Sequence, residues 1–296
     1  MKMKKTAILL FLLCAMFLVC GVSLAEDATI AGMTFSTDAA EIDLGSAKVK
    51  YDDLTKFLDK FPNLTHVDMF GTVVSRSTVN KLANRYPNVT FGWTIRIGDD
   101  HTIRTDQTAF STNHYSGSLS HEDADFEVLK YCTQLRALDL GHNFIHDLSF
   151  LDYMPELRVL IVACNYVKDI TPIGRLTHLE YLEIFSNRIQ DISCLTNLTN
   201  LMDLNLGHNA ITDYTPLMGM TWLKRLWMIN GSEFTRTCDL DHNTIVAIKA
   251  ALPDTVVDTS HEPSLGGWRE HDHYTVIRKC FTEGVYYPFA DSTGGE

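Results

Sequence analysis

Long apolar runs are scarce in this chain of 296 residues: only residues 7–24 could reach across a bilayer, which excludes a multi-span transporter or channel. Positive charge is scarce too. Lysine and arginine number 25 against 37 aspartates and glutamates, and such a surface repels phosphate backbones and anionic lipid, so nucleic acid is not an expected partner. The signatures of common catalytic sites are absent: there is no G-x-S-x-G, no H-E-x-x-H, no glycine-rich phosphate loop and no serine with a motif-placed base. Beyond the first apolar run stand Cys132, Cys164, Cys194, Cys238 and Cys280. Five is an odd number and the spacing is irregular, which excludes a disulfide framework or a zinc knuckle and leaves room for at most a bridge or two. With 45% apolar and 21% charged residues the chain is neither disordered nor collagen-like and can bury a large core.

What is present begins with an export signal. Lys2, Lys4 and Lys5 precede the apolar run, and Ser23-Leu24-Ala25 stands before acidic Glu26-Asp27, a pattern read as cleavage after Ala25. A retained anchor and a lipid-bearing Cys20 are the alternatives; a lipobox wants a small residue where Val19 stands. All three place the protein outside the cytoplasm, secreted or associated with the cell surface, and membrane contact is expected only if the signal is retained or Cys20 is lipidated.

Internal periodicity dominates the middle of the chain. Leucine recurs every 22 residues at Leu135, Leu157, Leu179, Leu201 and Leu223, again at Leu138, Leu160, Leu182, Leu204 and Leu226, and an apolar residue follows at Leu140, Val162, Ile184, Leu206 and Met228. Each of the first four copies continues with an asparagine (Asn143, Asn165, Asn187, Asn209), an aliphatic residue (Ile145, Val167, Ile189, Ile211) and an aspartate (Asp147, Asp169, Asp191, Asp213). The alternation Leu138-x-Leu140 is a short strand with one face inward, and stacked copies make a parallel sheet. The asparagine replaces a hydrophobe where the chain turns and backbone groups need a buried amide. The aspartate precedes short turns such as Ile170-Thr171-Pro172-Ile173 that its carboxylate can cap. Both polar rows are therefore read as structural.

The pattern L-x-x-L-x-L-x-x-N-x-I-x-D resembles the leucine-rich-repeat family, closest to the 22-residue repeats of bacterial internalin-type proteins. The resemblance covers about a third of the chain and implies an α/β solenoid with short parallel strands on its concave face. Around it, the sequence divides into a signal peptide (1–25), irregular N-terminal repeats with a hairpin and a loop (26–134), regular repeats (135–230) and a helical C-terminal cap (231–296). The N-terminal part carries one phrase twice, Phe61-Pro62-Asn63-Leu64 and Tyr86-Pro87-Asn88-Val89, each after a helix-like stretch, with Ile42-Asp43-Leu44 as an earlier strand. Residues 94–97 and 102–105 flank Gly98-Asp99-Asp100-His101 and predict a β-hairpin projecting from the solenoid, followed by a loop over 111–121 and a helix over 123–131. The fifth repeat breaks at Asn230-Gly231; beyond it Ile245, Ile248 and Leu252 fit one helix face, Val256-Val257 a strand, and Trp268, Tyr274, Ile277 and Phe281 an amphipathic last helix that covers the final apolar layer.

Chemistry has few places to reside. His271-Asp272-His273, with His261-Glu262 nearby, is the best metal candidate, but histidines at i and i+2 cannot share a helix face, so these are expected to be solvated residues of the cap and no metal or other cofactor is expected. Cys164 and Cys194 flank ladder positions and read as packing residues. The informative surface is the outward face of the stacked strands, where Val159, Ile161, Tyr181, Glu183, Phe185, Asp203, Asn205, Arg225, Trp227 and Ile229 form apolar patches rimmed by acid. The expectation is a non-enzymatic exported protein that binds a protein or peptide there, with Tyr181, Phe185 and Trp227 as anchors. A structural or adhesive envelope component is the rival reading, and an enzyme with its site in the irregular ends is a more distant one. The hairpin or the cap folding over part of that face is the alternative to a free binding surface.

Overall fold

The computed structural model describes residues 26–112, 120–229, 240–260 and 267–292, so the signal, Cys238, His261 and Glu262 lie outside the described residues. It opens with an antiparallel hairpin that the sequence does not announce, β1 (Asp27–Ile30) and β2 (Met33–Ser36). Ala31 and Gly32 both turn with positive φ, 49° and 80°, the two-residue geometry that suits the twist of a hairpin.

A β-α-β-α-β run follows: β3 (Glu41–Asp43), α1 (Tyr51–Leu58), β4 (His66–Val74), α2 (Arg76–Arg85) and β5 (Thr90–Ile97). In α1, Leu54, Phe57 and Leu58 recur at helical spacing and are buried. In α2 the Ser75 hydroxyl accepts from the Thr78 N–H at the N-terminus, and Val79 and Leu82 face the core. The three strands are parallel, and β6 (His101–Arg104) adds antiparallel to β5, giving the order β3-β4-β5-β6. The hairpin is therefore where the spacing puts it, but it does not project. Ile95, Ile97 and Ile103 are sealed in the core, and β6 forms the edge strand of this first sheet.

The second sheet is parallel throughout its described strands: β7 (Ala109–Ser111), β8 (Ala137–Asp139), β9 (Val159–Ile161), β10 (Tyr181–Glu183), β11 (Asp203–Asn205), β12 (Arg225–Trp227) and β13 (Val256–Asp258). Its register places Leu138, Leu160, Leu182, Leu204 and Leu226 side by side, so the 22-residue period becomes one inward leucine row. The helix leading into it is α-helical only over α3 (Asp123–Phe126) and tightens to a 3-10 turn at Glu127–Tyr131, with Phe126 and Leu129 fully buried.

Both polar rows have the backbone roles their positions predict. Asn187 Nδ2 donates to the carbonyls of Val162, Ile184 and Phe185 at 2.9, 3.1 and 3.3 Å, and its Oδ1 accepts from the Val167 N–H at 3.0 Å. The residue before each asparagine, His142, Cys164, Ser186 or His208, has φ between 53° and 60°, and this left-handed turn leaves the carbonyls for the amide to bridge. Asp147, Asp169, Asp191 and Asp213 each accept from the N–H two residues on, at 2.8 Å, just ahead of the 3-10 turns of the convex side.

At the far end, α4 (His242–Ala251), capped by Asp241, packs Ile248 inward and β13 extends the sheet by one strand. The last helix, α5 (Asp272–Glu283), does something else. Rather than covering the final apolar layer, it crosses the outward face of the sheet back toward β7, where Gly284 O accepts from the Ala109 N–H at 3.3 Å and the Tyr286 N–H donates to Thr108 Oγ1 at 2.8 Å.

Candidate functional site

Strand alternation sends alternate side chains to the outward face, and the register lines them up: Val159, Tyr181, Asp203 and Arg225 in one row, Ile161, Glu183, Asn205 and Trp227 in the next. The residues singled out from sequence thus share one surface, with Phe185 and Ile229 at its margin. That surface is not free. Val159, Tyr181, Glu183, Asp203 and Asn205 are 0% exposed, and Ile161, Phe185, Arg225 and Trp227 are buried as well; only Ile229 is half-buried. The expectation of an open concave patch is corrected here. Large aromatics on a sheet face are costly in water, and the chain's own C-terminal segment removes them from it.

The covering side chains are Trp268, Ile277, Cys280 and Phe289, which form one apolar cluster with the face. The Trp268 ring lies between Tyr181 and Trp227, with ring centroids 5.4 and 5.3 Å away. Its indole N–H donates to Glu183 Oε1 at 2.8 Å, the same oxygen that the Tyr181 hydroxyl reaches. Burial raises the Glu183 carboxyl above the usual carboxylate range and drives the Tyr181 phenol well above its own.

A chain of charges runs beside the aromatics. Arg225 Nε donates to Asp203 Oδ1 at 2.6 Å, and its guanidinium lies 4.5 Å from the Trp268 ring centre. The other Asp203 oxygen meets His273 Nδ1, while His273 Nε2 meets Asp291 at 2.7 Å and Asp291 accepts from Lys224 at 2.5 Å. Carboxylates at both ring nitrogens require both N–H protons, so His273 is held as the imidazolium. Burial opposes that charge, yet the Asp203 and Asp291 bonds outweigh it and raise the His273 pKa. Burial likewise opposes ionised Asp203, and the His273 and Arg225 bonds hold it low; against the same burial penalty, Lys224 and His273 bring Asp291 down to about 2. His273 is therefore not a solvated cap residue, and no sequence spacing could have linked it to an aspartate on β11.

The arrangement grips a polypeptide. Its donors and acceptors are mostly turned on one another, and among the described residues Trp227 Nε1, Arg225 Nη2 and Glu183 Oε2 lack a hydrogen-bond partner. Cys132 and Cys280 are buried and Cys164 and Cys194 half-buried, all with free thiols. Burial raises their pKa values, that of Cys194 to about 11, which suits packing residues.

A second surface went unnoticed in the sequence. The residues directly after the ladder asparagines, Phe144, Tyr166 and Arg188, stack along one edge of the solenoid: Phe144 and Tyr166 are 5.9 Å apart and nearly parallel, the Arg188 guanidinium lies 4.5 Å from the Tyr166 ring centre, and His146 stacks on Tyr166 at 5.4 Å. Phe144 is 45% exposed. Their shared repeat position was the available signal.

Residues 177–217 match the family model "Leucine Rich repeats (2 copies)". No curated protein matches the sequence significantly. Among solved structures, internalin C2 of Listeria monocytogenes is similar at 18% identity and TM-score 0.41, over 78% of this chain and 87% of that one. An internalin F of the same organism gives 19% identity and TM-score 0.41, over 76% and 75%, and a leucine-rich-repeat protein of Leptospira interrogans gives 18% and 0.42, over 74% and 54%. The family match falls inside the stack whose leucine row and asparagine ladder are described above, and the fold is that of a leucine-rich-repeat solenoid.

Proposed function

We propose that this is an exported, non-enzymatic recognition protein that binds a protein or peptide, and that its concave face engages an external ligand when the C-terminal segment is displaced. The observation that carries this reading is the occupant itself: the face already holds a polypeptide, with Trp268 between two aromatic rings and His273 in a carboxylate clamp. Tyr181, Phe185 and Trp227 remain the proposed anchors, now of an exchangeable contact. Export rests on the N-terminal pattern of residues 1–25.

Capture of a partner by the immobilised full chain tests the reading. Trp268→Ala, which weakens the occupant and spares the face, should raise capture, and Trp227→Ala, which damages the face, should abolish it. Equal capture by both variants and the unaltered chain would move recognition to another surface. The exposed stack of Phe144, Tyr166 and Arg188 is then the alternative, and Phe144→Ser is the variant that tests it.

A further inference from the structure

Where the first sheet meets the second, three potential ligand atoms converge. Asp100 Oδ1 lies 2.8 Å from His101 Nδ1 and 3.0 Å from His121 Nε2, and the two ring nitrogens are 3.1 Å apart. The triangle is nearly equilateral. Donors placed about 2.0–2.2 Å from one ion are separated by roughly 3 Å where they stand at right angles about it, as in five- or six-coordination, and by about 3.4 Å in a tetrahedron, so these edges fit the wider coordination. Protons serve this geometry poorly, since N–H bonds close at most two of its three edges and leave the third as two like groups facing each other. A cation at the apex satisfies all three at once.

The surroundings hold the two imidazoles in place. His101 belongs to β6 and pairs with Ile97. The His121 N–H donates to Oδ1 of Asn143, the first ladder asparagine, at 2.7 Å, and its carbonyl accepts from the Phe144 N–H at 2.9 Å. Its ring packs so closely on Gly98 that a Cβ there would stand 2.3 Å from two ring atoms. Its second nitrogen, which an outer partner would engage in a metal-bound imidazole, has the Asp125 carboxylate 3.7 Å away. Both rings are buried, and the Asp100 side chain, 28% exposed, leaves an approach from solvent.

We propose that Asp100, His101 and His121 form a binding site for a divalent transition ion of the zinc class, which staples β6 of the first sheet to the segment entering the regular repeats. Two imidazoles and a carboxylate suit such an ion better than magnesium or calcium, which prefer all-oxygen sets. Water completes the coordination on the Asp100 side. The site is independent of the concave face and of any ligand bound there.

The test uses the full chain, stripped with a chelator and titrated with Zn²⁺ by calorimetry and with Co²⁺ by visible absorption. One equivalent should bind and raise the melting temperature. His101→Gln and Asp100→Asn should each weaken binding by at least about 100-fold, the upper end of what even an outer partner's loss costs, and should cancel the melting shift. His178→Gln, at a half-exposed histidine elsewhere, should change neither. Circular dichroism of the metal-free variants checks folding, and Asp100→Asn, on the hairpin turn, decides the matter should His101→Gln misfold. Absence of one-equivalent uptake, undiminished affinity in Asp100→Asn, or a thiolate charge-transfer band placing Co²⁺ on cysteine would each overturn the proposal.

Discussion

The cluster beneath the second sheet takes Leu138, Leu160, Leu182, Leu204 and Leu226 from positions 22 residues apart, whereas the cluster above it joins Tyr181 and Trp227 to Trp268, Ile277 and Phe289, with Trp268 bonded to a glutamate 85 residues earlier. The lower cluster is assembled from neighbours: each repeat buries its leucines against the next, and the period itself encodes the contact. The upper one exists only once a distant segment has folded back, and it mixes aromatic rings with buried charges. Removing a part from the first should therefore damage the solenoid, while removing a part from the second should release the C-terminal segment and leave the repeats standing.

Trp268→Ala gives the largest expected effect on that contrast. Loss of a fully buried tryptophan costs about 3–5 kcal/mol, and here the loss falls on one docking contact. Two melting transitions are expected, with the C-terminal segment leaving first, followed by fluorescence of the remaining tryptophans and by hydrogen exchange along the strands. A single transition displaced as a whole would mean that the two clusters fold as one unit and that the segment is core rather than an exchangeable occupant.

The same contrast explains what could be read from sequence. Leucine row, asparagine ladder and aspartate row are legible because each is a local demand repeated at fixed spacing. Strand alternation also places Tyr181 and Trp227 on the outward face correctly. Alternation says which side a residue takes and nothing about what lies over it. Trp268, Ile277 and Phe281 read as an amphipathic helix, but amphipathicity does not choose between the end of the solenoid and its concave side. His101 and His121, 20 residues apart in the sequence, carry no ligand spacing, and only the antiparallel return of β6 and the Asn143 bond bring them together.

Within the lower cluster, Asn187→Leu should cost about 1–3 kcal/mol, since it strands buried carbonyls and the Val167 N–H. Asp191→Ala should cost less, because its turn at Ser193 is exposed and water can replace the carboxylate. Denaturant unfolding of the two variants checks the order. Equal losses would mean that the ladder amide is solvated in practice.

The smallest expected effect sharpens the comparison through pH. His273 faces Asp203 and Asp291, with Arg225, Lys224 and His271 close by, and its pKa is raised in the folded chain. A raised histidine contributes stability in full below its unfolded value of about 6.5 and loses that contribution as pH climbs through the folded value. Asp203 and Asp291, both depressed, contribute above about 3.9 and lose that contribution as pH falls through their folded values, about 2 for Asp291. The segment should hence dock most firmly between roughly pH 4 and 6.5 and loosen toward alkaline pH. Glu183, raised by burial in the same face, reinforces that direction, because its protonated form is the one burial favours. On the convex turns, Asp169 and Asp213 have pKa values lowered by their turn hydroxyl and N–H bonds, and Asp191 by its turn N–H and hydroxyl bonds, so their contribution does not fade at alkaline pH. Protection of the α5 amides in hydrogen exchange, corrected for the intrinsic rate at each pH, should fall between pH 6 and 9 while protection of the leucine strands stays level, and His273→Gln should flatten the first curve without changing the second. If α5 protection in the unaltered chain is independent of pH over that range, the imidazolium does not hold the segment, and the aromatic contacts of Trp268 and Phe289 alone keep the concave face closed.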